Sequence, residues 1–136
     1  MIISTKGRYA LRILADLARM DHDKYASVKD ISESQQISLK YLESITASLF
    51  HAGFVESRRG RSGGYKLAKH PSEITLHAIV ASMEGSVSVV SCLDHEEVLC
   101  GRSEHCAGYP LWQKLQNIID SYLMSVTLED LINGTI

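Results

Sequence analysis

The sequence predicts a mainly α-helical fold with a small β wing: a winged helix-turn-helix followed by a long C-terminal helix. Three observations carry that expectation. Two short amphipathic helices are separated by a three- or four-residue turn. A glycine-rich basic turn between two short strands follows at once. A long stretch over residues 109–126 with a broad apolar face lies near the C-terminus.

The elements follow in order. A first helix is expected from about Thr5 to Met20, because Ala10, Ile13, Leu14, Leu17 and Ala18 recur at three and four. Ser27 opens a short helix ending near Gln35, with Asp30 completing a capping box and Val28 and Ile31 facing inward. Ser38 caps the next helix, whose buried side is read as Leu39, Leu42, Ile45, Leu49 and Phe50, with Tyr41, Glu43 and Thr46 elsewhere around it. His51-Ala-Gly53 stops it, since glycine accepts the left-handed C-terminal conformation. Strands Phe54–Arg58 and Tyr65–Ala68 enclose the turn Arg59-Gly-Arg-Ser-Gly-Gly64, which makes the wing.

Beyond Pro71, Thr75 caps a helix reaching about Met83, and Gly85 ends it. Residues 86–108 form a long irregular connection, a length that usually signals a task. Tyr109-Pro110 opens the longest helix, proline being suited to a first turn. Leu111, Trp112, Leu115, Ile118, Ile119, Tyr122, Leu123 and Val126 give it an apolar face wider than a small core needs. That width points to a homodimer, a monomer's core helix being the competing reading. Thr127-Leu-Glu-Asp130 is a second capping box, starting a terminal turn. Residues 1–70 are read as the DNA-binding region. Residues 71–136 are read as cysteine loop and dimerisation region, packed with the first helix as one domain.

The formal charge of −2 conceals a division. Residues 1–70 hold 12 Lys and Arg against 7 Asp and Glu, and residues 71–136 hold 2 against 9. A basic first half suits a polyanion, and the acidic second half should stay clear of it. Arg58, Arg59, Arg61, Lys66 and Lys69 crowd the wing, where Ser62, Gly63, Gly64 and Tyr65 complete the turn. Lys6 and Arg8 at the start of the first helix are placed for backbone phosphates. Ser38, Lys40, Tyr41 and Glu43 occupy the early recognition helix, and Glu43 can accept a hydrogen bond from cytosine N4. The expected ligand is therefore double-stranded promoter DNA with a palindromic site. Some winged helices bind proteins instead, so a protein-interaction module stays open.

Enzyme chemistry finds no support: the chain has no nucleotide loop, nucleophile elbow or zinc-hydrolase histidine pair. No apolar run is long enough to span a bilayer, and Arg12, Asp16 and Arg19 interrupt the first helix too often for an export signal. A cytoplasmic location, with no membrane partner, is expected. The three cysteines are spaced Cys92-x7-Cys100-x5-Cys106. An odd, clustered count argues against a disulfide scaffold and for a metal site or thiol chemistry. Three thiolates can hold part of an iron–sulfur cluster. Oxidant sensing, zinc completed by His95 or His105, and unligated thiols remain alternatives.

Taken together, these segments resemble the IscR/NsrR/CymR family of winged helix-turn-helix transcription regulators. The resemblance rests on Ser4-Thr-Lys-Gly-Arg-Tyr-Ala10, Ser38-Leu-Lys-Tyr-Leu-Glu43, Arg58-Arg-Gly-Arg-Ser-Gly-Gly-Tyr65, the three-cysteine loop and Thr127-Leu-Glu-Asp-Leu131. It implies a dimer joined by the long helix, usually acting as a repressor. It also implies base reading by Glu43, minor-groove contact by Arg59, and an iron–sulfur cluster (2Fe-2S or 4Fe-4S) on Cys92, Cys100 and Cys106. Two departures stand out. IscR-like members take a fourth ligand from a histidine where this chain has Tyr109, and some NsrR-like members take an aspartate where it has Arg8. The start, recognition helix and ending look at least as much like CymR, which acts with cysteine synthase and needs no cluster. The acidic stretch Asp94-His-Glu-Glu97 suits such a protein-facing loop.

Overall fold

Ser4 fixes where the first helix begins: its hydroxyl accepts the Gly7 N–H at 3.0 Å, satisfying one of the donors that a helix leaves open at its start. In the computed structural model, which describes residues 1–94 and 100–136, this helix, α1, spans Thr5–Ala18. It stops two residues before the expected Met20. The predicted stripe of Ala10, Ile13, Leu14, Leu17 and Ala18 is buried along its length.

Helix α2 (Val28–Gln35) and helix α3 (Leu39–His51) form the helix-turn-helix. Ser27 accepts the Asp30 N–H at 3.0 Å, but the reciprocal half of the expected capping box does not form there. Gln36 takes the turn in the left-handed region, φ 54°. In α3 the buried row is Leu42, Ile45, Thr46 and Leu49. The expected row also held Leu39 and Phe50, which are 49% and 47% exposed, and it left Thr46 out. Thr46 can enter the core because its hydroxyl donates back to the carbonyls of Leu42 at 3.0 Å and Glu43 at 3.1 Å, so no polar atom is stranded.

The wing is an antiparallel pair, β1 (Val55–Arg58), which starts one residue later than expected and ends where expected, and β2 (Gly64–Leu67), which is shifted one residue toward the turn. Val55 faces Leu67 and Arg58 faces Gly64. Helix α4 (Leu76–Glu84) follows a Thr75 cap and ends at Gly85, φ 78°. Between it and the next helix the described residues include two single-turn 3-10 pieces, Ser91–Leu93 and Ser103–His105. The long helix α5 (Tyr109–Ser125) begins at the expected Tyr109-Pro110, and α6 (Leu128–Asn133) closes the chain. The joint between α5 and α6 docks against the start of α4 through Leu76 N–H to Val126 O at 2.9 Å and Leu128 N–H to Ile74 O at 2.8 Å.

One core collects buried side chains from every α-helix except α5, which adds only the half-buried Leu123: Ile13 and Leu14, Ile31, Leu42 and Ile45, Ile79 and Leu128 are all essentially inaccessible. Each such side chain contributes roughly 1.5–3 kcal/mol on removal from water. Helix α5 has no buried residue at all. Leu111, Trp112, Leu115, Ile118 and Tyr122 stand exposed along it, with Ile118 at 59%.

The second predicted capping box does form. The Thr127 hydroxyl accepts the Asp130 N–H at 3.2 Å, and Asp130 accepts from the Thr127 backbone at 2.9 Å and hydroxyl at 2.7 Å. Those bonds, the hydroxyl's first, hold the Asp130 carboxyl below its ordinary value of 3.8. A depressed carboxylate pKa contributes stability above the unfolded-chain value, and that contribution is lost as pH falls through the folded value. Asp130→Asn is expected to lower the melting temperature at neutral pH and to flatten its decline below pH ~4, the ordinary carboxylate range. Melting followed by circular dichroism between pH 2.5 and 7 checks this, and parallel curves for the two proteins would count against it.

Candidate nucleic-acid interface

The hairpin's alternation sorts its side chains. Val55 and Leu67 point to the core and are buried, whereas Glu56, Arg58 and Lys66 lie on the opposite face. The wing does not stand alone. Ala26, in the chain entering α2, exchanges both backbone hydrogen bonds with Tyr65 at 2.8 Å, an isolated antiparallel bridge on the outer edge of the hairpin. Gly64 makes this docking feasible. It sits at φ 145°, and a Cβ there would overlap the Ala26 carbonyl oxygen. A Cβ on Gly63 would overlap the Arg58 carbonyl oxygen.

Docking brings the wing against the N-terminal end of α2. A cleft of about 510 Å³ is lined there by Ser27, Arg58, Arg59, Arg61, Gly63 and Tyr65, among others. Ser62 lines the adjoining cleft with Tyr25, Arg58 and Arg61. Six of the predicted contact residues thus gather in one basic concavity, beside a helix end whose open N–H groups also favour anions. The recognition helix presents a second group: Ser38, Lys40 and Glu43 are exposed. Tyr41 is half-buried, and its ring meets Tyr9 edge-on at 5.8 Å, which ties α3 to α1.

Lys6 and Arg8 lie on the first turns of α1, outside both clefts, and Arg8 donates to the Thr5 hydroxyl at 3.1 Å. Arg58 departs most from a free phosphate-seeking side chain. Its guanidinium lies 4.4 Å from the Tyr25 ring centroid and donates to the Ser62 carbonyl at 2.8 Å. Sequence reasoning missed Tyr25. Its one sequence signal is an aromatic residue next to a small one just ahead of the Ser27 cap.

The cysteines are free thiols on the other side of α4 in the chain order. Cys92 and Cys100 are half-buried and Cys106 is exposed. Cys100 and Cys106 share a shallow cleft with Arg102 and His105, and Cys92 is outside its lining. Among the described residues, no three His, Cys, Asp or Glu side chains converge on a point where a metal ion could sit. The alternative zinc ligand His95, and His95-Glu-Glu97 of the acidic stretch, lie outside the described residues.

The chain leading into Cys92 is anchored from two sides. On α5, the Gln116 amide accepts from Val89 N–H at 2.8 Å and donates to Val87 O at 3.1 Å and to Asp120 at 2.9 Å. Asp120 in turn lies 3.6 Å from His77 of α4. At the root of the segment, Glu84 accepts from the Ser4 N–H at 3.0 Å and hydroxyl at 2.8 Å, over the start of α1. No helix among the described residues is long and apolar enough to cross a membrane.

Residues 3–134 match the family model described as Rrf2, iron-dependent transcriptional regulator. The chain is 38% identical over 134 residues to the HTH-type transcriptional regulator IscR of Yersinia enterocolitica, covering 98% of this chain and 80% of that one. Among solved structures it resembles CymR, the global cysteine regulator of B. subtilis. There the TM-score is 0.81 at 37% identity, over all of this chain and 99% of that one. It also resembles T. potens IscR, with a TM-score of 0.75 at 31% identity, over all of this chain and 89% of that one.

Proposed function

The chain belongs to the Rrf2 family of iron-dependent transcriptional regulators, and from that premise we propose that it is a cytoplasmic, homodimeric repressor that binds a palindromic promoter site. The observation that supports this most is the docked basic wing beside an exposed α3. Two such units, joined across the uncovered apolar face of α5, would present paired recognition helices to successive major grooves. Residues 1–70 would supply the DNA-binding region, and residues 71–136 the joint and the sensing segment. Ser38, Lys40 and Glu43 would face base edges or flanking phosphates, with Arg59 and Arg61 at the wing tip and Lys6 and Arg8 on the backbone.

Control is assigned to the thiols of Cys92, Cys100 and Cys106 or to a protein partner, as in a CymR-like regulator of sulfur metabolism, with a cysteine synthase the candidate partner. Two observations favour this over a resident cluster. The described donors do not converge. In addition, the two places where family members supply a fourth ligand hold Tyr109 and Arg8, a phenol and a guanidinium that stays charged. The second reading, a 2Fe-2S or 4Fe-4S cluster on the three cysteines, is favoured by the identity to IscR and the family's iron dependence.

One experiment separates them. Iron, acid-labile sulfide and visible absorbance are measured on anaerobically purified protein and on the Cys92, Cys100, Cys106 to alanine variant. Binding of both to a duplex enriched from a random-sequence pool is then compared before and after mild oxidation. The proposal expects sub-stoichiometric iron, and affinity that responds to oxidation, or to added cysteine synthase, in the parent. Stoichiometric iron and sulfide, lost in the variant, would replace it with the cluster reading. Failure to enrich any duplex would sink DNA binding itself.

A further inference from the structure

Two of the wing's cations, Arg58 and Lys66, are already engaged by groups of the protein itself. Because Ala26 pairs with Tyr65, strand alternation puts the preceding side chain, Tyr25, on the face that holds Glu56, Arg58 and Lys66. The half-buried Tyr25 ring has the Arg58 guanidinium 4.4 Å and the Lys66 ammonium 5.0 Å from its centroid. Both distances lie within the range at which a cation is drawn to an aromatic face. Each cation has a second attachment inside the wing: Arg58 to the Ser62 carbonyl at 2.8 Å, Lys66 to Glu56 at 3.8 Å. Arg58 is exposed, as are Arg59 and Arg61 at the tip, so what sets it apart is its attachment to Tyr25 and Ser62.

We propose that Tyr25 is a positioning residue for DNA binding: its ring anchors Arg58 and Lys66 so that the wing is held in place and Arg59 and Arg61 meet the nucleic acid. This rests on the DNA-binding reading above. It divides the basic cluster into two jobs that composition cannot distinguish. Arg58 serves as a brace between the α1–α2 connection and the wing turn, and it does not neutralise a phosphate. A wing held in advance loses less freedom on binding, so the brace acts on affinity without adding a contact.

The test uses the full chain and a duplex enriched from a random pool by the unsubstituted protein, with affinity measured from 50 to 300 mM salt. Each phosphate neutralised adds about 0.9 to the slope of log affinity against log salt. Arg59→Gln and Arg61→Gln are expected to lower the slope by about that amount, and Arg58→Gln to leave it unchanged. Tyr25→Leu should weaken binding about tenfold at an unchanged slope, whereas Tyr25→Phe, which keeps the ring, should stay within about twofold. Combining Tyr25→Leu with Arg58→Gln should cost no more than Tyr25→Leu alone. Two results would each overturn the proposal: Tyr25→Leu binding like the parent, or Arg58→Gln lowering the slope by about 0.9. The Arg58→Gln slope decides the matter even if Tyr25→Leu folds poorly. If the parent enriches no duplex, DNA binding fails first, a result distinct from either.

Discussion

Gly64→Ala is expected to destabilise the protein by about 3–5 kcal/mol and to abolish measurable binding to operator DNA. The estimate combines two costs. Backbone held at φ 145° is strained for any residue with a Cβ, at roughly 1–3 kcal/mol. The added methyl also meets the Ala26 carbonyl oxygen, a backbone atom that cannot rotate away, so the wing must lift off the helix-turn-helix. Overpacking of that kind costs about 1–3 kcal/mol more, and lifting breaks the two Ala26–Tyr65 hydrogen bonds. Gly60 is the matched control. It too has positive φ, at 106°, but nothing lies near its missing Cβ, so Gly60→Ala should cost only about 1–2 kcal/mol. Urea denaturation of both variants checks the pair. Equal losses would show that backbone conformation, and not the close approach to Ala26, sets the requirement.

The contact that Gly64 permits is also where reading the sequence fell short. Helices α1 and α5 were legible because their apolar residues recur with the helical period, and that pattern, with Tyr109-Pro110 opening α5, placed their ends within two residues. The wing hairpin was legible from its turn. The pairing of Ala26 with Tyr65 left no such trace: it joins residues 39 positions apart through backbone atoms, which carry no residue identity. Tyr25 and the bracing of Arg58 were hidden with it, and five wing cations read as equivalent. Leu39 was misassigned for a different reason. At the first position of α3 it precedes the turn that packs on the core, so the period alone overextends the buried row. Thr46 was left out because a hydroxyl reads as polar until its own helix is seen to satisfy it.

Ile118→Glu is expected to convert a dimer into a monomer, lowering the association constant by at least a thousandfold, with little change in the helical content of each chain. Ile118 lies near the middle of α5, is 59% exposed, and is not one of the buried core residues of its own chain. In a two-fold interface one substitution is felt twice. Two carboxylates moved from water into an apolar contact cost roughly 2–3 kcal/mol each, which sums to three or four orders of magnitude. Operator affinity should collapse with the dimer, because a single unit keeps half the contacts. Sedimentation velocity at micromolar concentration reads the outcome, and an unchanged dimer would place the interface elsewhere. Lys114→Glu, on the same helix, serves as the charge control.

Gln116 gives the cysteine segment a thermodynamic obligation. Its amide fastens Val87 and Val89 to the helix proposed to join the two copies, while Glu84 fastens the root of the same segment to the start of α1. Where two sites are coupled, influence runs in both directions: a coupling free energy has one value whichever ligand is added first. If oxidising the thiols weakens the hold on an operator by some factor, then occupying the operator must make those thiols harder to oxidise by that same factor. Promoter-bound copies would then be the last in the cell to register an oxidant, and the free pool would set the threshold at which the promoter is released.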